Sequence, residues 1–252
     1  MQPRTLKDKP MANPELIFFA TPEELARAAA GAWLDEIEAA NRAGKTHCVA
    51  LSGGRITQKF FTAVIEENQA RKISFAKVHF FWADERCVPP TDPDSNFKLA
   101  DELLLKPLDI SAGNIHRLRG EDAPAAAVNE ANSEIRRWMP PGAEGQPSLD
   151  LVLLGMGEDG HIASLFPQAR ATILGAATPF LVVENSPKPP PTRISLSYQA
   201  IFAAKHVVVL VSGKGKEAAF HESLKPGGRT PLGRVIAARP VKIFSDLPGA
   251  NL

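Results

Sequence analysis

Short apolar runs recur along the chain, and segments with helical spacing fall between them. The stretch "ELIFF" predicts a first strand, and "TPEELARAAAGAWLDEIEAANRAGK" predicts a helix after it. Thr21 is placed to cap that helix, Pro22 opens it, and Glu24 closes a capping box; Trp33 and Ile37 lie on its apolar stripe. "HCVALSGG" and "VHFFWADE" predict the next two strands, with a helix through "KFFTAVIEEN" between them. A Pro/Asp-rich loop "RCVPPTDPDSN", a helix "FKLADELLL" and an alanine-rich segment at 123–138 lead to a turn-rich connector, "PPGAEGQPS". Beyond it, "LDLVLLG", "PFLVVEN", "HVVVLVSG" and "VKIFSD" read as strands, and "KGKEAAFHESL" and "PLGRVIAA" as helices. The loop "SPKPPPTR" and the segment "ISLSYQAIFAAK" separate the middle two of these strands.

Nearly continuous apolar strands that alternate with helices predict an α/β fold: a mostly parallel, doubly wound sheet in three α/β/α layers, a modified Rossmann-like architecture. The connector is too short to mark a boundary, so one domain is expected over 15–252, after a flexible tail over 1–14 with Met11 as an alternative start. In such sheets ligands sit outside the carboxyl ends of the strands. "SGGRIT", "ADER", "GMGEDGH" and "SGKGK" all follow strands and are therefore expected to share one rim.

Composition narrows the functional classes. The chain has 252 residues, with 29 Lys and Arg against 28 Asp and Glu. A net charge of +1 argues against a general nucleic-acid or membrane-surface binder, which needs a basic excess. Cys48 and Cys87 form neither a disulfide framework nor a C-x-x-C pair, as expected in a reducing cytosol. No apolar run approaches the roughly 18 residues of a membrane span, and "MQPRTLKDKPMANP" lacks the apolar core of a secretory signal. His47, His79, His116 and His221 show no metal-ligand spacing, so no metal is expected.

The chemistry concentrates in "GMGEDGHIASLFP". Gly155, Gly157 and Gly160 spell the G-x-G-x-x-G of dinucleotide-binding loops, but that reading fails. Glu158 and Asp159 would repel a pyrophosphate, Pro167 interrupts the helix that should follow, and the motif lies past mid-chain. The alternative is a glycine-shaped loop that presents Asp159 and His161, with the imidazole able to take a proton from water. A blander possibility is that Asp159 caps a short helix "HIASLF" while His161 merely packs.

"LDLVLLGMGEDGHIASLFP" resembles the signature of the 6-phosphogluconolactonases, and "LSGG", "FFWADERCVPPTDPDSNF" and "SPKPPPTRISLSYQAIFAAKHVVVLVSGKGK" match the same family in the same order. The similarity runs from about residue 15 to the C-terminus. It implies a cytoplasmic, cofactor-free hydrolase of the oxidative pentose phosphate pathway, which opens 6-phospho-D-glucono-1,5-lactone to 6-phosphogluconate. Its fold is related to those of glucosamine-6-phosphate deaminases and ribose-5-phosphate isomerase. A sugar-phosphate lactone is then the one expected partner of a monomer that binds neither nucleic acid nor membrane.

On this resemblance His161 is the catalytic base and Asp159 the acid close to it, with an orienting or electrostatic role. Their spacing leaves open whether they bond directly. Gly53 and Gly54 can point backbone N–H groups at a phosphate, though a plain strand–helix turn would look the same. Where the family often has "GGST" this chain has Arg55 and Ile56, which leaves Thr57 to supply a hydroxyl. Arg86 is expected to clamp phosphate unless it is spent in a salt bridge with Glu85. Asp84 anchors its loop or faces substrate, and Asn96 pins the same loop or touches substrate. Gly157, Lys188, Arg193 and Lys216 complete the expected substrate-binding set. Cys87 is expected to be a free thiol, since nothing local would lower its pKa.

Two rivals are weaker. Glucosamine-6-phosphate deaminases share "DGHIA" but continue "FNEP", and here Phe166 stands where their glutamate would be. A sugar-phosphate-sensing regulator domain would carry an N-terminal helix-turn-helix, for which the tail leaves no room.

Overall fold

The computed structural model describes residues 13–139, 142 and 145–247. Nearly all of the expected tail with Met11, and most of the start of the "PPGAEGQPS" connector, lie outside the described residues. Strand β1 (Glu15–Phe18) leads to helix α1 (Pro22–Arg42). The helix starts where the capping signals place it. Thr21 Oγ1 accepts the Glu24 N–H at 3.2 Å, and the Glu24 carboxylate accepts the Ala20 N–H at 3.1 Å. Strand β2 (His47–Leu51), helix α2 (Arg55–Arg71) and strand β3 (Val78–Trp82) follow, and both strands are buried along their whole length.

After β3 the chain departs from the sequence pattern. "VHFFWADE" reads as one strand, but it divides at Ala83. Its second half, β4 (Asp84–Arg86), joins a different sheet. The Ala83 N–H donates to the Leu51 carbonyl of β2, while the Ala83 carbonyl accepts the Leu196 N–H, each at 2.7 Å. Residues on both sides of this hinge are buried, so the hydrophobic pattern carries no mark of the switch.

Helix α3 (Asn96–Ala100) continues as a π-helical turn, Asp101–Leu105, and α4 is Pro124–Trp138. Next come β5 (Leu151–Gly155), the short α5 (Ala171–Leu174), β6 (Phe180–Val183), β7 (Arg193–Leu196) and α6 (Tyr198–Ala203). The chain ends with β8 (His206–Val211), α7 (Glu217–Leu224), α8 (Pro231–Ala238) and β9 (Lys242–Ser245). Helix α7 starts later than "KGKEAAFHESL" suggests, because Gly213 and Gly215 hold positive φ angles of 97° and 86° that no helix continues through. "HIASLF" forms no helix either: Ile162 bridges Met156 on one side and Leu165 on the other. Asp159 therefore caps nothing there.

The main sheet has the order β1-β9-β8-β5-β2-β3, with every pairing parallel. This is the mostly parallel α/β sheet expected. The small sheet, β4-β7-β6, is antiparallel and was not anticipated. One contiguous core runs through the main sheet and its helices, and Phe166, Leu181 and Val183 form a satellite under the small sheet.

At the opposite end from the strand-tip loops, His47 is buried and its Nε2 accepts the Trp33 indole N–H at 3.1 Å. Burial outweighs the pull of Asp150 and pushes its pKa down to about 4. Between the free value of 6.5 and about 4 the unfolded chain takes up a proton here that the folded chain refuses. Stability that is full above this window is therefore lost as pH falls through it, by up to roughly 3 kcal/mol. His47→Gln keeps an acceptor for the indole but cannot titrate. Urea midpoints followed across the window should fall less steeply in the variant, and equal slopes would assign the acid sensitivity elsewhere.

Candidate active site

Parallel strands deliver their carboxyl ends to one edge, and the four expected loops meet there around an open cavity of about 480 Å³. Ser52, Gly53, Gly54 and Arg55 enter from β2 into α2, and Gly155 to Glu158 with His161 enter from β5. Ser212, Gly213 and Lys216 follow β8, while Asp84, Arg86, Lys188 and Arg193 close the side of the small sheet.

His161 is the best-defined group. Its Nδ1–H donates to Asp159 Oδ1 at 2.5 Å, and its backbone N–H reaches the same oxygen at 3.2 Å. This settles the question of direct bonding left open by the spacing. Burial pushes the Asp159 carboxyl upward, but the hydrogen bonds and charge of His161 outweigh it and hold the group at about 2. An ionised carboxylate only accepts, so in the neutral imidazole the ring proton is fixed on Nδ1 and Nε2 is the acceptor. Asp159 itself does not line the cavity; it acts from behind the ring.

The glycines of this loop have separate causes. A Cβ on Gly157 would lie 2.0 Å from the His161 ring, so only glycine lets the imidazole fold over the backbone. Gly160 has φ of +80°, and a Cβ there would also meet the Thr230 side chain at 2.7 Å. On its outer face the imidazole packs against Phe166, with ring centroids 4.7 Å apart.

A second constellation sets the opposite wall. The Glu85 carboxylate accepts the N–H groups of Arg86, Asn96 and Phe97 at 2.7–2.8 Å and the Ser95 hydroxyl at 3.0 Å. Glu85 is therefore not an ion-pair partner of Arg86; it ties the Pro/Asp-rich loop to the start of α3. Arg86 donates through Nη1 to the Asp94 carbonyl, and its Nε is buried without a partner among the described residues. Asn96 does pin the loop: its amide donates to the Asp84 carbonyl at 2.9 Å and to Asp84 Oδ1 at 3.3 Å. A Cβ on Gly53 would sit 1.9 Å from the Asn96 side-chain oxygen, so this glycine is required by packing as well as by any ligand.

Among the cations, Arg193 is committed to structure. It is buried, donates to the carbonyls of Lys188, Pro189 and Pro190 at 3.1–3.2 Å, and lies over the Phe166 ring. Arg55, Lys188 and Lys216 line the cavity, and their side chains have no hydrogen-bond or ion-pair partner among the described residues. Burial, and then the charge of Arg55, pulls the Lys216 pKa down. An arriving anion would relieve both.

Thr57 is a correction. It is buried inside α2, where Oγ1 donates to the Gly53 carbonyl at 3.0 Å, and it does not line the cavity. One turn of helix carries its hydroxyl back onto its own backbone. Sequence reasoning also missed Ser52, whose buried Oγ has no partner among the described residues, and Lys59, which lies one helical turn beyond Arg55 and also lines the cavity. The i, i+4 spacing of the two cations was the available signal. Among the described residues, no group of three or more His, Cys, Asp or Glu is placed to hold a metal.

A family model described as glucosamine-6-phosphate isomerases/6-phosphogluconolactonase matches residues 20–244. The chain is 35% identical to 6-phosphogluconolactonase 3, chloroplastic, of Arabidopsis thaliana, over 81% of this chain; the match spans 64% of that relative's length. It is 32% identical to the 6-phosphogluconolactonase of Streptomyces coelicolor, covering 86% of this chain and 85% of the relative. Among solved structures, the 6-phosphogluconolactonase from Trypanosoma cruzi superposes with a TM-score of 0.82 at 25% identity, covering 93% and 95% of the two chains.

The ring-over-glycine contact yields a direct test. Gly157→Ala should leave thermal stability close to wild type, because the loop can yield by moving the imidazole. Turnover should nevertheless fall, on the order of 10²-fold, the usual cost of a displaced catalytic group. An alanine variant with undiminished turnover would show that the ring's seat on Gly157 does not matter.

Proposed function

Because the chain belongs to the glucosamine-6-phosphate isomerase/6-phosphogluconolactonase family, we propose that it hydrolyses 6-phospho-D-glucono-1,5-lactone to 6-phospho-D-gluconate. This is the lactone-opening step of the oxidative pentose phosphate pathway. The observation that carries the proposal is the Asp159–His161 pair, whose free Nε2 belongs to a side chain facing a cavity with unpaired cations.

A δ-lactone is an activated ester and needs little apparatus. Nε2 of His161 takes a proton from a water molecule as the water oxygen attacks the lactone carbonyl carbon. The carbonyl electron pair moves onto its oxygen, giving a tetrahedral intermediate in a cavity lined by more cations than acids. Collapse breaks the bond to the ring oxygen, which receives the proton from the imidazolium. Asp159 stabilises the transient imidazolium without taking its proton. Arg55, Lys188 and Lys216 hold the phosphate, with the backbone of Gly53 and Gly54 at the start of α2. Arg193 serves this end by fastening the loop that bears Lys188. Asp84 is left to accept from a sugar hydroxyl, while Asn96 and Ser164 keep it in place.

Phe166 favours this reaction over the deaminase or isomerase chemistry of the same family. It lies against the base, and a phenyl ring carries no proton that could open a sugar ring. A monomeric state is part of this proposal, and no described helix is long and apolar enough to cross a membrane. A cytoplasmic location and independence from metal and nucleotide belong to the same proposal.

Stopped-flow hydrolysis of freshly prepared 6-phosphogluconolactone, corrected for the spontaneous rate, tests the reaction itself. His161→Ala should lower kcat by roughly 10²–10⁴-fold with KM little changed. A folded His161→Ala enzyme with normal kcat would make the imidazole structural. Substrate recognition is tested with unphosphorylated gluconolactone, which leaves the cationic end unpaired. Its kcat/KM should be lower by about 10²-fold or more, and equal values for the two lactones would refute the phosphate assignment.

A further inference from the structure

Two residues beyond His161 the loop reverses at Ala163, whose φ of 46° lies in the left-handed region that a residue with a Cβ avoids. Such a turn persists only where its surroundings hold it. The next residue, Ser164, is fully buried and makes two hydrogen bonds. Its N–H donates to Ser195 Oγ at 3.2 Å, and its hydroxyl donates to Asp84 Oδ2 at 2.6 Å. Asp84 on β4 and Ser195 on β7 are cross-strand partners, so both bonds end on one rung of the small sheet. His161, by contrast, hangs from β5 of the main sheet. Among the described residues these are the only hydrogen bonds that join the loop over 156–166 to the small sheet.

We propose that Ser164 is a positioning residue for the general base. Its two buried bonds hold the strained turn at Ala163, and so set where His161 stands relative to Asp84 across the cavity. The inference rests on the reading of His161 as the base. His161, Ala163 and Asp84 all line the cavity, so a slip in this clamp is felt at the reacting groups before it is felt in the core. Without the hydroxyl the turn relaxes toward ordinary φ values, and the imidazole two residues away moves with it.

The test compares wild type, Ser164→Ala and the double variant Ser164→Ala/Ala163→Gly. Each is followed by kcat and KM, by the ¹⁵N signals of the His161 ring, and by thermal unfolding. Ser164→Ala should lower kcat per folded molecule by about 10–100-fold with KM changed less than about threefold, and should shift or broaden the ring signals. The double variant should recover part of the lost kcat, since glycine takes the left-handed turn without a clamp. Should Ser164→Ala fail to fold, Ser195→Ala removes the acceptor of the Ser164 N–H, together with the Ser195 hydroxyl's own bond to the Leu196 carbonyl, while keeping the bond to Asp84. A smaller loss in the same direction is then expected. Wild-type kcat and unchanged ring signals in the first variant that folds would overturn the proposal. So would a loss of rate that only tracks the folded fraction, or a double variant no faster than Ser164→Ala. If instead His161→Ala is as active as wild type, the base assignment fails, and the ring signals still report whether Ser164 sets the histidine's position.

Discussion

Ala83 joins two sheets with one peptide unit on either side. Its N–H completes the parallel ladder against Leu51, and its carbonyl begins the antiparallel one against Leu196. The cavity exists because the chain changes sheets at this point. The main sheet supplies the loop with His161 and the N-terminus of α2, and the small sheet supplies Asp84 and the loop with Lys188. Groups carried by two sheets need ties between them to stand at fixed separation across the cavity. Ser164 supplies such a tie from the loop after β5 to Asp84, and Asn96 fixes Asp84 from the start of α3.

The division of labour between acids and cations follows from this framework. Glu85 spends its carboxylate on four donors of one loop, and Asp159 spends its own on an imidazole. Burial raises the first group, and hydrogen bonding lowers the second to about 2. Three of the cations at the cavity have no such partner among the described residues, and burial, then the charge of Arg55, lowers the Lys216 pKa. A cavity lined by more cations than acids, with three of the cations unpartnered among the described residues, suits an anionic ligand.

Much of this was legible in one dimension. The capping signals at Thr21 and Glu24 and the apolar runs of the main sheet are local or periodic properties, so they can be read without neighbours. The rim rule then brings the four strand-tip loops together, and His161 with Asp159 stands out within the loop by residue type. Thr57 was misread because the direction of a helical side chain depends on which backbone carbonyl it can reach. The three-stranded sheet was invisible because both halves of "VHFFWADE" are equally buried.

The sequence by itself determined the α/β class, the rim on which the strand-tip loops meet, and the pairing of His161 with Asp159 as candidate groups in one loop, because each depends on composition, period or short spacing. Only the tertiary structure decided which cations are free, since Arg193 and Lys188 look alike until one is found donating to three carbonyls. It also decided why Gly53 and Gly157 are glycines, for the atoms that exclude a Cβ are the Asn96 amide in one case and the folded-back His161 ring in the other. Contacts between residues distant in the chain, or folded back within a loop, have no signature in spacing; they come into being only when the sheets and loops are in place.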